Sequence, residues 1–317
     1  MYFYSYSLLE MDTLYAIIIF ILMLIIYSQV MFQLKKGDDM EVYEIDYTNN
    51  DDLNKSANLK QPIIFQFSNF ANTLQDYSLK FLAAEYGSFD VFVKETEDYH
   101  ADRPANAAVI ELNAAESLVK TDASNKYFSN QNQSFIYETG LDKYYKQLDK
   151  YLKPTFSVFS KYDVVFGSVG TTTPLTYHTY ERRFIYVNGG KIQVKMTPWR
   201  SNKYMVVNKD YANYEFTSPL NVWNPQDTYR NGFQKMKFLD FTVHSGNMLY
   251  IPPFWYYSIK IESDDGLIYC ADYGSPMNIL TNVVNLGHYF YETMIPKREK
   301  KKIADSDANA DAEDLAI

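Results

Sequence analysis

The chain has 317 residues, 47% hydrophobic and 22% charged, which is enough for one large domain or two small ones. A net charge of −9 argues against a nucleic-acid-binding surface, so no nucleic-acid partner is expected. The single cysteine, Cys270, excludes an intrachain disulfide and fits a reducing compartment. The 30 tyrosines suit protein contacts, although a compositional bias of the genome gives the same count.

Residues 1–12 form a short N-terminal segment. An uncharged run follows over 13–34, with the stretch LYAIIIFILMLIIYSQVMF at 14–32. About 20 helical residues cover the roughly 30 Å hydrocarbon core, so the run predicts a single transmembrane helix with the lipid bilayer as its partner. A signal peptide is the competing reading. The run is too long for one, no small-residue cleavage site follows, and no basic residue precedes it. Lys35 and Lys36 lie just after the run and no Lys or Arg lies before it. Basic residues stay inside, so the C-terminal domain is expected in the cytoplasm. The sequons at Asn54 and Asn132 would reverse that orientation if used. Residues 35–58 are polar and acidic and read as a tether.

A domain is expected over 59–275. Pro62 to Phe65 and Val91 to Val93 read as strands. Helical spacing marks Ala71 to Tyr86, through Leu74, Tyr77, Phe81 and Ala84. Ala105 to Val119 is Ala-rich and is read as a second helix, and Leu141 to Leu152 as a third with a clear apolar stripe. From Phe156 to Tyr273 the strand period dominates. Phe184–Val187, Ile192–Met196, Phe238–Val243 and Met248–Ile251 are short β-rich runs separated by Gly, Pro, Asn and Asp. Such spacing predicts a jelly-roll sandwich or barrel, mainly β with flanking helices.

Helical spacing returns over 276–296, with Leu280, Val283, Val284, Tyr291 and Met294 as its main stripe and Pro296 closing it. Leu286, Tyr289 and Phe290 make a second apolar face. That face either packs on the domain or docks a protein partner or a second copy of the chain. The charged segment 297–317 has too little apolar content to fold and is expected to be disordered.

Two motifs carry a family resemblance. Gly246 to Ile261 reads GNMLYIPPFWYYSIKI, and Gly170 to Lys195 reads GTTTPLTYHTYERRFIYVNGGKIQVK. Together with the Pro62 strand and the Tyr86-Gly87 helix end, they resemble the cupin-like, JmjC-type domains, including degenerate members from large DNA viruses. The resemblance implies a double-stranded β-helix. It also implies where an iron site and a 2-oxoglutarate site would lie. The three iron-ligand positions fall on Thr176, His178 and Tyr257, and the lysine that some members use for 2-oxoglutarate falls on Lys191.

The residue types at those positions oppose metal chemistry. A 2-His-1-carboxylate centre needs three good donors. Thr176 is a poor ligand, Tyr257 would have to ionise against a pKa near 10, and His178 alone is insufficient. A displaced site using His178, His244 and Asp240 is a weaker alternative. Lys191 is open to two readings. If it points inward, Lys195 does too, at a cost in buried charge; if Ile192, Val194 and Met196 face the core, Lys191 faces solvent. The same alternation puts Tyr257, Ile259 and Ile261 inside, with His178 or Thr176 expected to partner the Tyr257 hydroxyl. Cys270 is expected to be a buried, inert thiol.

The sequence therefore predicts a membrane-anchored, non-catalytic cupin-like protein with no cofactor and a structural or protein-binding role, such as a viral membrane or virion component. The alternatives are a tethered hydroxylase with an unorthodox metal site and a module binding a small ligand in the old cosubstrate pocket.

Overall fold

A computed structural model describes residues 12–27, 37–68, 77–101, 107–264 and 266–294. Residues 12–27 are helical, and their apolar side chains from Leu14 to Tyr27 are largely exposed. No helix among the described residues is long and apolar enough to cross a membrane. The rest of the expected span, 28–34, lies outside the described residues, as do the N-terminal segment 1–11 and the tail 297–317.

Among the described residues, fifteen strands build two sheets. In chain order they are β1 (Tyr43–Glu44), β2 (Ile63–Gln66), β3 (Asp90–Glu95), β4 (Ala108–Glu111) and β5 (Tyr127–Ser129). Then come β6 (Phe159–Gly167), β7 (Leu175–Tyr177), β8 (Arg182–Val187), β9 (Lys191–Thr197) and β10 (Asn208–Asp210). The last are β11 (Glu215–Ser218), β12 (Leu239–His244), β13 (Asn247–Ile251), β14 (Tyr256–Ile261) and β15 (Ile268–Gly274). The nine-stranded sheet runs β1-β2-β13-β8-β15-β6-β5-β3-β4, and the six-stranded sheet β10-β11-β7-β14-β9-β12. At the centre, β13-β8-β15-β6 faces β7-β14-β9-β12. The chain passes back and forth between these two halves, which is the jelly roll expected from the strand spacing.

Strand alternation sorts the apolar residues into three cores. Between the sheets lie Val165, Ile185, Val187, Leu249 and Ile268 from one side and Ile192, Val194, Met196, Ile259 and Tyr257 from the other. The opposite parity on β6 and β8, Tyr162, Val164, Phe166, Phe184 and Tyr186, packs outward against helices through Leu53, Leu82, Leu112, Tyr145 and Leu148. The back of the six-stranded sheet, including Tyr177, Phe216 and Tyr256, packs against Trp199, Met205 and Phe238. Burying each large side chain stabilises the fold by roughly 1.5–3 kcal/mol.

Three sequence expectations change. Residues 43–57, expected within the tether, belong to the domain: β1 pairs with β2, and helix Asn50–Ala57 buries Leu53 and Ala57. Asn49 caps that helix by accepting from the Asp52 N–H, a local signal hidden in a polar, Asn-rich stretch. The expected helix over Ala105 to Val119 divides into strand β4 and helix Leu112–Thr121, because β4 pairs with β3 and sheet pairing overrides the Ala-rich propensity. The third is the helix expected over Ala71 to Tyr86, which among the described residues is helical only over Leu79–Tyr86, capped by Ser78. The sequon at Asn132 would reverse the expected orientation only if it were used. Its side chain is buried and bonded to the Phe92 N–H, Ser129 Oγ and the Val164 carbonyl, so the folded chain offers no acceptor there.

Helix Asp142–Leu152 forms where the apolar stripe placed it. The C-terminal helix is broken at Asn282 into Pro276–Thr281 and a second piece, 283–294. Asn278 and Asn282 both donate to the Thr179 carbonyl and pin the break to the barrel.

Candidate functional site

Thr176 and Tyr257 sit directly opposite each other on β7 and β14. His178 follows one residue after β7, its ring 6.4 Å from that of Tyr257. The Phe254 N–H donates to the His178 carbonyl at 2.9 Å, so the Pro252-Pro253-Phe254-Trp255 turn holds this corner. Phe254 takes a left-handed backbone, φ 63°, which is strained for a bulky residue and is held by the surrounding packing. The three positions taken from the resemblance are thus brought together at one end of the barrel.

Each of the three is engaged elsewhere. Thr176 Oγ1 donates to the Phe216 carbonyl at 2.8 Å. His178 Nε2 lies 3.0 Å from the Ile251 carbonyl, an acceptor only, so Nε2 carries the proton and Nδ1 the lone pair. His178 Nδ1 is buried with no hydrogen-bond partner. Burial, reinforced by the nearby Arg183 cation, holds this imidazole well below the usual histidine range, so it is neutral at pH 7. The Tyr257 hydroxyl accepts a hydrogen bond from Arg183 Nη1, not from His178 or Thr176 as expected. Burial pushes Tyr257 up to about 12, with Arg183 opposing, so it stays a neutral phenol.

Arg183 was not singled out from the sequence. Its Nε and Nη2 grip the two oxygens of Asp272, each at 2.6 Å, in a bidentate pair. The register explains the meeting. Asp272 on β15 is opposite Lys161 of β6 on one side and Arg183 of β8 on the other. The next inward row is Asp163, Cys270 and Ile185, and the row after it Val165, Ile268 and Val187. The barrel is charged at one end and grades to hydrocarbon at the other. Asp163 accepts from the Gln131, Asn132 and Val164 N–H groups, and burial raises its carboxyl to about 6 against those donors. Cys270 is buried, and burial pushes its thiol well up, which keeps it unreactive.

The charged end opens into a cavity of about 740 Å³ between the sheets. Thr176, His178, Tyr180, Arg183, Lys161 and Tyr257 are on its wall. Lys191 is not. It lies on the outer face of β9, half exposed, paired with Glu262 at 3.2 Å. Lys195 shares that face and packs its ammonium 4.7 Å from the Trp223 ring. The displaced metal site also fails: His178 is inside, whereas His244 and Asp240 are exposed on β12, and Asp240 bonds Gln193. No group of three His, Cys, Asp or Glu placed to hold a metal occurs among the described residues.

A family model described as a cupin-like domain matches residues 55–290. The chain belongs to the cupin-like domain family. The match starts within helix Asn50–Ala57 and ends in the C-terminal helix, so both belong with the barrel expected over 59–275. No curated protein matches the chain. The iron centre implied by the resemblance does not fit this cupin-like barrel. Its three positions offer a hydroxyl that donates to a carbonyl, a neutral phenol bonded to a guanidinium, and one imidazole lone pair.

The sequence missed Lys161, Arg183, Asp163, Asp272 and Tyr180. For the four charged ones the signal was parity: Lys161 and Asp163 alternate in FSKYDVVFG, and Arg183 and Asp272 share the inward parity of the largely apolar strands RRFIYV and IYCADYG. The C-terminal helix is turned relative to expectation. Tyr289 packs edge-on to Tyr214 at 6.0 Å and reaches the cavity wall, and Leu286 is half-buried. Phe290 and the expected inward stripe Val283, Val284, Tyr291 and Met294 are exposed.

Proposed function

We propose that this protein is a non-catalytic cupin-like protein, tethered to a membrane through 13–34, that works by binding rather than by oxygenase chemistry. One observation carries the reading. The place where a third metal ligand would project is filled by the Tyr257 phenol, locked by the Arg183–Asp272 pair. A buried, neutral phenol bonded to a guanidinium has no affinity for Fe(II) comparable to an imidazole. The purified protein is expected to bind Fe(II) and 2-oxoglutarate no better than a surface-charge control, by calorimetry. The variant Thr176→His with His178→Asp and Tyr257→His is expected to gain divalent-metal affinity, because the three positions converge. Stoichiometric iron in the natural chain, or succinate formation dependent on 2-oxoglutarate, overturns the reading. A folded triple variant that binds no divalent metal overturns the assignment of the three positions.

The tether rests on the uncharged run 13–34 and on the exposed apolar side chains of helix 12–27. The binding surface for a protein partner, or for a second copy of the chain, is the exposed stripe of the C-terminal helix. Val284 and Tyr291 are seven apart, hence on one face, and are 65% and 66% exposed. Val284→Asp with Tyr291→Asp is expected to leave the domain folded and extractable only by detergent, yet to abolish association in sedimentation and partner recovery. A natural chain that is released by alkaline carbonate, or that is monomeric and partner-free, refutes this part.

A second reading, a module for a small ligand, is favoured by the cavity itself. Its volume lies within the range of small-molecule sites, and its wall carries a few polar groups, among them Lys161, Arg183 and Tyr180.

A further inference from the structure

A span over 13–34 leaves little chain to separate the domain from the bilayer. The uncharged run ends at Leu34, and Gly37 is already seated on the domain, where a side chain would collide with the Lys60 carbonyl. Six residues on, the Tyr43 N–H donates to the Pro62 carbonyl at 2.9 Å. The three residues from Leu34 to Gly37 reach at most about 10 Å. On the tether reading, the edge of the domain that carries Lys60 is therefore held at the membrane surface.

Strand register shows what shares that edge. Ile63 is opposite Tyr250, so Pro62 and Ile251 begin the next row; Ile251 is opposite Arg183, Arg183 opposite Asp272, and Asp272 opposite Lys161. One row thus crosses β2, β13, β8, β15 and β6. Because β2 and β6 run the same way, Leu59 and Val158, each three residues before this row, lie on the same rim. Helix Asn50–Ala57 connects the two places. Asn50 Nδ2 donates to the Lys153 carbonyl at 2.8 Å, and Leu59 follows two residues after Ala57.

Large apolar side chains project from this rim. Phe156 is 84% exposed, Leu59 61% and Val158 54%. The Phe156 loop is held in place. The Ser157 N–H donates to the Pro154 carbonyl at 3.2 Å, Ser157 Oγ to the Phe159 carbonyl at 3.0 Å, and the Val158 N–H to the Gly274 carbonyl at 2.8 Å. Phe156 itself takes φ 60°, which is strained for a bulky residue. An exposed ring on a fixed, strained loop gains nothing in water, whereas the bilayer interface takes it up. Between the apolar groups, Asp51, Asp52 and Lys55 are exposed and of both signs, so the contact needs no anionic headgroup.

We propose that this rim is a lipid-contact face, with Phe156, Leu59 and Val158 inserted into the bilayer interface beside the tether. The proposal rests on the tether reading and adds to it a fixed orientation of the barrel, with the row from Pro62 to Lys161 nearest the membrane.

The test uses the full chain in phosphatidylcholine nanodiscs, where both sides of the bilayer are open to solvent. Cys270, the only natural cysteine, is buried, so Phe156→Cys, Leu59→Cys and Val158→Cys each take a fluorescent label at one place. His244→Cys is the reference, exposed at the opposite end of the barrel, where β13 begins. Labels at the three rim positions are expected to lose about half or more of their emission to lipids carrying a nitroxide high on the acyl chain, since interfacial apolar groups sit roughly 5–10 Å into that boundary. They are also expected to be shielded from aqueous iodide. The label of His244→Cys is expected to show the reverse on both counts. Rim labels as open to iodide as the reference overturn the proposal and leave the tether standing, provided that the chain stays with the nanodiscs. Rim labels shielded from iodide yet untouched by the nitroxide lipids also overturn it, because a protein surface then covers the rim. A chain that does not enter nanodiscs brings down the tether reading and the proposal together.

Discussion

Asp272→Ala is expected to destabilise the folded protein by about 3–5 kcal/mol, the cost of leaving one member of a buried ion pair uncompensated. The Asp272 side chain is 5% exposed and that of Arg183 21%, so water screens the pair little. Lys161 faces Asp272 from the other neighbouring strand, so the substitution also leaves two cations without the carboxylate between them. For a domain of this size the loss corresponds to a fall in Tm on the order of 10 °C. The desolvation argument makes a second, sharper forecast. Replacing both partners, Arg183→Met with Asp272→Leu, is expected to recover much of the loss, because only Lys161 is then left without the carboxylate. Denaturant unfolding of the single and double variants decides the matter. A single variant within 1 kcal/mol of the natural chain, by the scale just given, would show that the pair is solvated.

The second large effect is a pH dependence. His178 is 3% exposed, and its folded pKa lies below the ordinary histidine value of 6.5 through burial and the Arg183 cation. Above that value the imidazole is neutral in both states and contributes no slope. As the pH falls through 6.5, the unfolded chain takes a proton that the folded site refuses. Stability is then lost until the lower folded pKa is reached, by up to about 1.4 kcal/mol per pH unit. Asp163 has the opposite sign. Its folded pKa is raised to about 6, so the folded carboxyl gains its proton first, and stability rises as the pH falls from there toward the ordinary carboxylate range. The comparison is therefore with His178→Leu, which keeps Asp163, Arg183, Tyr180 and Tyr257 and removes only the imidazole. The natural chain is expected to lose stability relative to the variant below pH 6.5, and the two curves should run parallel above it. Parallel curves throughout would mean that the imidazole takes its proton as readily in the folded chain as in the unfolded one.

The fold was legible because its signals are local. Alternation along β8, β9, β13 and β14 assigns faces residue by residue, and the glycine of the β12–β13 turn, Gly246, sits at φ 85°, where a side chain is strained. The apolar stripe of Asp142–Leu152 needed no tertiary information either. The failures came where a distant partner outvoted the local pattern. Ala108–Glu111 pairs with β3, and the polar 43–57 stretch is drawn into the core by Leu53 and Ala57, with Tyr43, Ile45 and Tyr47 packed against it. The C-terminal helix has apolar residues on more than one side, and composition alone did not say which side meets the barrel. Contacts from Tyr211 to His288 and from Tyr214 to Tyr289 decide it.

By itself, the sequence determined the strand period, the family resemblance and the presence of poor metal donors at Thr176 and Tyr257, since each is a property of neighbouring residues or of a motif. Only the tertiary structure decided what Thr176, His178 and Tyr257 bond to. Arg183 and Asp272 are 89 positions apart, and Arg183 and Tyr257 74 apart. They meet because three strands from the two faces of one barrel are held in a particular register. A slip of one residue would turn each of these side chains to the opposite face. The same register leaves Lys161 and His178 on the wall of one cavity. No local pattern in the chain encodes that meeting, because it depends on strand pairing at long range.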